Sequence, residues 1–123
     1  MRFAKWVFTL AAIYGLVTIP LTYFAEPALT TRYGALSQPL WFYGFLSVVL
    51  VFQLVYLQTG RDPVRYRPFM LLSLLAKLSF VVTAATLYAA HRTVLEQALV
   101  TTPDLIWCVL FAVAYLRTPA PPR

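Results

Sequence analysis

Residues 6–25 read WVFTLAAIYGLVTIPLTYFA and contain no charged side chain. An α-helix rises about 1.5 Å per residue, so about 20 apolar residues cross the roughly 30 Å hydrocarbon core of a bilayer. This run has that length, and it exceeds the apolar core of a signal peptide, which has about 7–15 residues. We therefore predict that residues 6–25 form a retained transmembrane helix.

Three more apolar segments follow this helix. The second span is predicted over residues 40–58, and the third over residues 69–90 with Lys77 as its single charge. The fourth is predicted over residues 95–116, because its uncharged part, residues 105–116, is too short to cross a membrane alone. The chain is therefore predicted to cross a membrane four times.

The composition agrees with a membrane environment. Hydrophobic residues make up 61% and charged residues 11% of the chain, against about 45–50% and about 25% in soluble domains. A length of 123 residues leaves room for one domain. The predicted fold is a single all-α domain over residues 1–123, an integral membrane four-helix bundle.

The start of the fourth span has two interpretations. In the first, Thr102 caps a helix that begins at Pro103, and Asp104 lies in its first turn. In the second, the helix begins near Leu95 and is kinked at Pro103, which places Asp104 inside the membrane. The second is preferred because the loop after Tyr88 would otherwise be long.

Lys and Arg are unevenly distributed among the segments that flank the four spans. Seven lie at the two termini and in the middle loop, whereas two lie in the other connections. Because short cytoplasmic loops carry an excess of basic residues, we predict that both termini are cytoplasmic. The seven are Arg2, Lys5, Arg61, Arg65, Arg67, Arg117 and Arg123, and the two are Arg32 and Arg92.

The middle loop concentrates basic charge next to an aromatic ring. Arg61, Arg65 and Arg67 surround Tyr66 in this loop. Such a cluster binds anionic lipid headgroups or a cytoplasmic partner, and the three arginines are predicted to make that contact. A role in setting the orientation of the chain explains them equally well.

Lys77 is a candidate functional residue because a charge within a membrane span costs a few kcal/mol or more. It lies nine residues after Pro68, and Asp104 lies thirteen residues before Arg117, so their depths are about 13 Å and about 19 Å. The difference of about 6 Å is within reach of a lysine side chain. A Lys77–Asp104 ion pair is therefore predicted.

Two further polar side chains are predicted in the same half of the membrane. Gln53 and Tyr14 lie at depths of about 8 Å and about 13 Å on their own helices. Together with Lys77 and Asp104 they are candidate ligand-binding residues around one interior pocket. The alternative is structural: Lys77 extends to the interface, Asp104 caps a helix, and the other two bond to nearby backbone.

Small residues recur at helical spacing on three of the spans, which favours close helix packing within the bundle. They are Ala11, Gly15, Thr18 and Thr22 on the first, Gly44, Ser47 and Val51 on the second, and Ser73, Ala76, Phe80 and Thr83 on the third.

Several functions are disfavoured by what the sequence contains. The basic charge is divided among short segments rather than gathered on one folded face, so nucleic acid binding is not expected. One cysteine, Cys108, and one histidine, His91, do not make a metal cluster or a disulfide, and no cofactor is expected. Sequence motifs of soluble enzymes are missing. Glu26, just before Pro27, is interpreted as a carboxylate at the membrane interface.

Three segments resemble a family of small bacterial four-helix membrane proteins that is similar to the DoxX-like group. They are YFAEP at 23–27, PLWFYGF at 39–45 and RDPVRYRPFM at 61–70, followed by Lys77. The resemblance implies a bacterial cytoplasmic (inner) membrane but no reaction. Members often have an acidic residue before the lysine, where this chain has Ala76, which leaves Asp104 as the partner for Lys77.

Two classes of function are consistent with the sequence. The first is a non-enzymatic membrane component, either an accessory subunit of a larger complex or a self-associating bundle. The second is a binder of, or enzyme on, a lipophilic molecule such as a quinone or lipid, which requires the interior pocket. The expected partners are the lipid bilayer and a protein or a second copy of the chain.

Overall fold

The computed structural model describes residues 2–123, which form six α-helices and one 3-10 turn and contain no strand. The all-α prediction is therefore confirmed for this part of the chain. The elements are α1 (Arg2–Tyr23), α2 (Glu26–Tyr33), α3 (Pro39–Arg61), α4 (Arg67–Ala89), α5 (Leu95–Ala98), the 3-10 turn (Leu99–Thr101) and α6 (Thr102–Arg117).

Four segments are long and apolar enough to cross a membrane: α1, α3, α4 and the stretch Leu95–Arg117 that contains α5, the 3-10 turn and α6. They match the four predicted spans, although α1 begins at Arg2 rather than Trp6. Prolines occupy the first turns of α3, α4 and α6, where the missing backbone N–H breaks no helical hydrogen bond. The short helix α2 was not predicted.

The four long segments form a ring in the order α1, α3, α4, α6. α1 packs along α3 and α6, α4 packs along α6, and α3 and α4 touch over a shorter length. The Phe45 and Phe80 rings join α3 to α4, with centroids 5.2 Å apart. We call the end with α2 and the α4–α5 connection the α2 end, and the opposite end, with both termini and residues 62–66, the basic end.

Aromatic rings fill the centre of the bundle towards the basic end. Phe8 of α1 stacks on Phe111 of α6, with ring centroids 4.3 Å apart. Tyr56 of α3 lies edge-on to both rings, at 6.2 Å and 5.2 Å. These three side chains and Met70 of α4 are buried, so every helix of the ring contributes to one apolar core.

Glycines permit the close approach of α1 and α3 at two levels. A Cβ on Gly15 of α1 would lie 1.9 Å from the side-chain oxygen of Gln53, and one on Gly60 of α3 would lie 2.6 Å from Thr9 Oγ1. Both positions therefore depend on the absence of a side chain. Gly44 differs from the packing prediction, because a Cβ there would meet nothing within 4 Å.

The fourth span is irregular immediately before its proline. It begins at Leu95, as the preferred interpretation states, but a 3-10 turn separates α5 from α6. Thr102 is the first residue of α6, rather than the cap that the alternative places before Pro103. Asp104 lies in the first turn of α6.

The outer surface of the ring is largely apolar. Exposed side chains include Val17 on α1, Val48 and Leu54 on α3, Leu75 on α4 and Val109 on α6. Large apolar side chains exposed along every long helix are typical of a lipid-facing surface.

Candidate functional site

An ion pair links α4 to α6 within the bundle. Lys77 Nζ donates to Asp104 Oδ1 at 2.8 Å, and the two side chains are 13% and 17% exposed. The register of the two helices sets this contact, since Lys77 lies in the middle of α4 and Asp104 in the first turn of α6. The contact predicted from depth is therefore present.

The lysine also faces an aromatic ring. Lys77 Nζ lies 5.6 Å from the centre of the Tyr56 ring on α3, which is within the range of a cation–π interaction. The lysine therefore interacts with two neighbouring helices at once. In chemical terms, this arrangement neutralises two charges within the helix bundle.

Gln53 and Tyr14 have other partners. Gln53 is buried on the α1–α3 interface, where its amide nitrogen donates to the Val49 carbonyl at 2.8 Å and its oxygen faces Gly15. Tyr14 is 40% exposed at the contact of α1 with α6, with its ring centroid 5.9 Å from that of Trp107. Neither side chain bonds to the Lys77–Asp104 pair among the hydrogen bonds of residues 2–123.

Two surface grooves on the described part of the chain are lined by residues other than these four. One lies at the α2 end, where residues of α1, α2 and α3 meet. The other has a volume of about 190 Å³ between α4 and the α5 region, with Phe80, Thr83, Gln97 and Thr101 in its wall. Ligand binding by Tyr14, Gln53, Lys77 and Asp104 stays a prediction.

The three arginines of the middle loop have different surroundings. Arg67 Nε donates to the Thr118 carbonyl at 2.8 Å, and its guanidinium carbon lies 3.9 Å above the Tyr115 ring. Arg67 therefore ties the start of α4 to the end of α6. Arg61 and Arg65 are exposed, so they remain available for the predicted lipid or partner contact.

A second ion pair, at the α2 end, was not predicted. Arg32 of α2 pairs with Glu96 of α5, with Nε 2.9 Å from Oε2, and Tyr33 donates to the same oxygen at 3.0 Å. Hydrogen bonding to the carboxylate raises the pKa of Arg32 above its usual value. The contact joins residues 64 positions apart in the sequence. The only sequence signal for it was the opposite charge of Arg32 and Glu96, which lie on the same side of the predicted bundle.

Comparison with models of protein families, with curated proteins and with solved structures found no match. The resemblance to the DoxX-like group therefore stays a prediction.

Proposed function

We propose that this chain is a multi-pass protein of the bacterial cytoplasmic membrane with both termini in the cytoplasm. Four helices of sufficient length and apolar character support insertion in a membrane. The gathering of seven basic residues at the basic end supports the orientation. The choice of the bacterial inner membrane rests on the resemblance of the sequence to the DoxX-like group.

Within that membrane the protein acts as a non-enzymatic component, either an accessory subunit of a larger complex or a self-associating bundle. The supporting observation is that polar side chains of the bundle interior bond to other groups of the protein. Lys77 pairs with Asp104, and Gln53 bonds to the Val49 carbonyl. A reaction centre needs reactive groups that face space for a substrate, and these groups face protein.

One face of α4 is suited to contact with another membrane helix. Ala76, Ser79, Thr83 and Thr86 are exposed along α4 at helical spacing. The hydroxyls of Ser79, Thr83 and Thr86 each bond to a backbone carbonyl of α4 itself at 2.8 Å. Small residues with satisfied hydroxyls let two helix backbones approach closely in lipid, so this small-residue face is the proposed contact surface.

The test is site-directed disulfide formation in native membranes. In a Cys108→Ser background, Ser79→Cys is expected to give a disulfide-linked dimer or a cross-link to one membrane partner. Val51→Cys, on an exposed face of α3, is the matched control and is expected to stay monomeric. Equal cross-linking at both positions would indicate random collision and contradict the proposed surface.

The stoichiometry of the protein provides an independent test. Native mass spectrometry after extraction in mild detergent is expected to show a homo-oligomer or a complex with another protein. A monomer that retains a quinone or another lipophilic molecule would instead favour the interior binding site.

A further inference from the structure

A groove of about 620 Å³ opens at the α2 end, between the end of α1, the start of α2 and the first turns of α3. It is a separate feature from the Lys77–Asp104 pair and from the small-residue face of α4. Its wall is formed by three aromatic rings, one carboxylate and two smaller side chains. The lining residues are Tyr23, Phe24, Glu26, Pro27, Thr30 and Tyr43.

Hydrogen bonds hold the aromatic rings of this groove in place. Tyr43 donates its hydroxyl to Glu26 Oε2, and the Tyr23 hydroxyl lies 3.3 Å from the Tyr43 carbonyl oxygen and contacts the hydroxyl of Ser47. The Tyr23 and Tyr43 ring centroids are 5.4 Å apart, with the planes inclined by 40°. Both hydroxyls therefore bond within the protein, and the rings are fixed as parts of the groove wall. Phe24 is 83% exposed beside them.

Glu26 carries a negative charge without a cationic partner in residues 2–123. The ion pairs in that part of the chain are Arg32–Glu96 and Lys77–Asp104, and neither includes Glu26. Its hydrogen bond from Tyr43 uses one carboxylate oxygen. The groove therefore presents a carboxylate that has no ion-pair partner among the described residues, together with aromatic rings.

This combination has a preferred ligand chemistry. A metal ion is not indicated, because no group of three or more His, Cys, Asp or Glu side chains surrounds a common point in the described chain. Aromatic faces attract organic cations, quaternary ammonium groups above all, since these are weakly hydrated. A carboxylate beside the rings adds charge complementarity.

We propose that the groove at the α2 end binds a quaternary ammonium group, with Glu26 as its counter-ion and the rings of Tyr23, Phe24 and Tyr43 around its methyl groups. The source of that group is a soluble choline-like cation or the headgroup of a choline phospholipid. This inference goes beyond the proposed function, because it requires no protein partner and uses none of the residues assigned to one.

The primary test uses the unmodified full chain in a maltoside detergent, which contains no ammonium group. Broadening of the choline methyl proton signal on titration measures binding. The neutral isostere 3,3-dimethylbutanol has the same shape without the charge, and we expect it to bind at least about tenfold more weakly. Equal binding of choline and the isostere would overturn the proposal.

A pair of matched variants locates the site. Glu26→Gln is expected to raise the Kd for choline about tenfold, because it removes the counter-ion and keeps the shape of the side chain. Asp62→Asn removes the same charge from an exposed carboxylate at the basic end, outside the groove, and is expected to leave the Kd unchanged. An unchanged Kd in Glu26→Gln would overturn the assignment.

Lipid retention distinguishes the two sources. The full chain is extracted from vesicles of equal phosphatidylcholine and phosphatidylglycerol content, and native mass spectrometry identifies the lipid that it keeps. Selective retention of phosphatidylcholine, reduced in Glu26→Gln, identifies the headgroup as the ligand. Choline binding without lipid retention identifies a soluble cation, and selective retention of phosphatidylglycerol would overturn the proposal.

Discussion

Lys77 Nζ lies 2.8 Å from Asp104 Oδ1, and this contact joins α4 to α6. Both side chains are largely withdrawn from the surface, at 13% and 17% exposure. A charge in such a place is stabilised mainly by its partner, because neither water nor lipid replaces the lost interaction. The consequence is that the two residues should behave as one unit.

We expect Lys77→Met and Asp104→Leu to destabilise the protein by about 3–5 kcal/mol each, since either change leaves an unpaired charge. The double variant should recover much of the loss, because it leaves no charge behind. Thermal unfolding in detergent measures all three. The exposed pair Arg32–Glu96, replaced by glutamine singly and together, is the control and should show much weaker coupling. Additive effects at Lys77 and Asp104 would contradict the prediction.

Gly15→Ala should destabilise the bundle by about 1–3 kcal/mol, because the new Cβ meets the Gln53 side chain. The matched control is Gly44→Ala, a helical glycine with nothing within 4 Å, which should be neutral or stabilising. In a Gln53→Ala background the cost of Gly15→Ala should fall. Unfolding in detergent is again the measurement, and equal effects at the two glycines would argue against a close contact of α1 and α3.

Arg67→Gln should destabilise the protein by about 1–3 kcal/mol, whereas Arg65→Gln should change stability little. The Arg67 guanidinium bonds to the Thr118 carbonyl and covers the Tyr115 ring. Its loss therefore leaves that carbonyl without its hydrogen-bond donor and uncovers the ring. Both variants remove one positive charge from the same loop, so a difference between them reports the contact rather than the charge. Equal unfolding temperatures would show that the contact contributes nothing.

The proposed orientation predicts which engineered cysteines react with an impermeant thiol reagent. In a Cys108→Ser background, cysteine at Ser37 should label in intact cells, and cysteine at Val64 should label only after the membrane is made permeable. These positions lie at opposite ends of the bundle. Labelling at Val64 alone in intact cells would reverse the orientation.

The spans and the ion pair were predictable because each depends on quantities that the sequence contains. Length without charge identifies a span, and residue counts give depth, which placed Lys77 and Asp104 within about 6 Å of each other along the membrane normal. Depth does not give the direction in which a side chain points around its helix. Gln53 and Tyr14 share that half of the bundle, yet Gln53 faces α1 and Tyr14 faces the contact with α6.

The features at the α2 end were less accessible to prediction. The helix α2 has the sequence EPALTTRY, which is short and polar and resembles a loop in composition. Its pairing with α5 through Arg32 and Glu96 joins distant segments of the chain, and no local spacing encodes it. The groove beside Glu26 likewise depends on three elements that converge only in the folded chain.

The ion pair has a consequence for biosynthesis. Asp104 is synthesised 27 residues after Lys77, so in the proposed membrane orientation the lysine enters the translocation machinery before its partner exists. We therefore expect the third span to insert less favourably alone than together with the fourth, by the few kcal/mol that a lone charge costs in lipid. Release of the two spans into lipid as a joined hairpin would avoid the transfer of a lone charge, so the fourth span should favour stable insertion of the third.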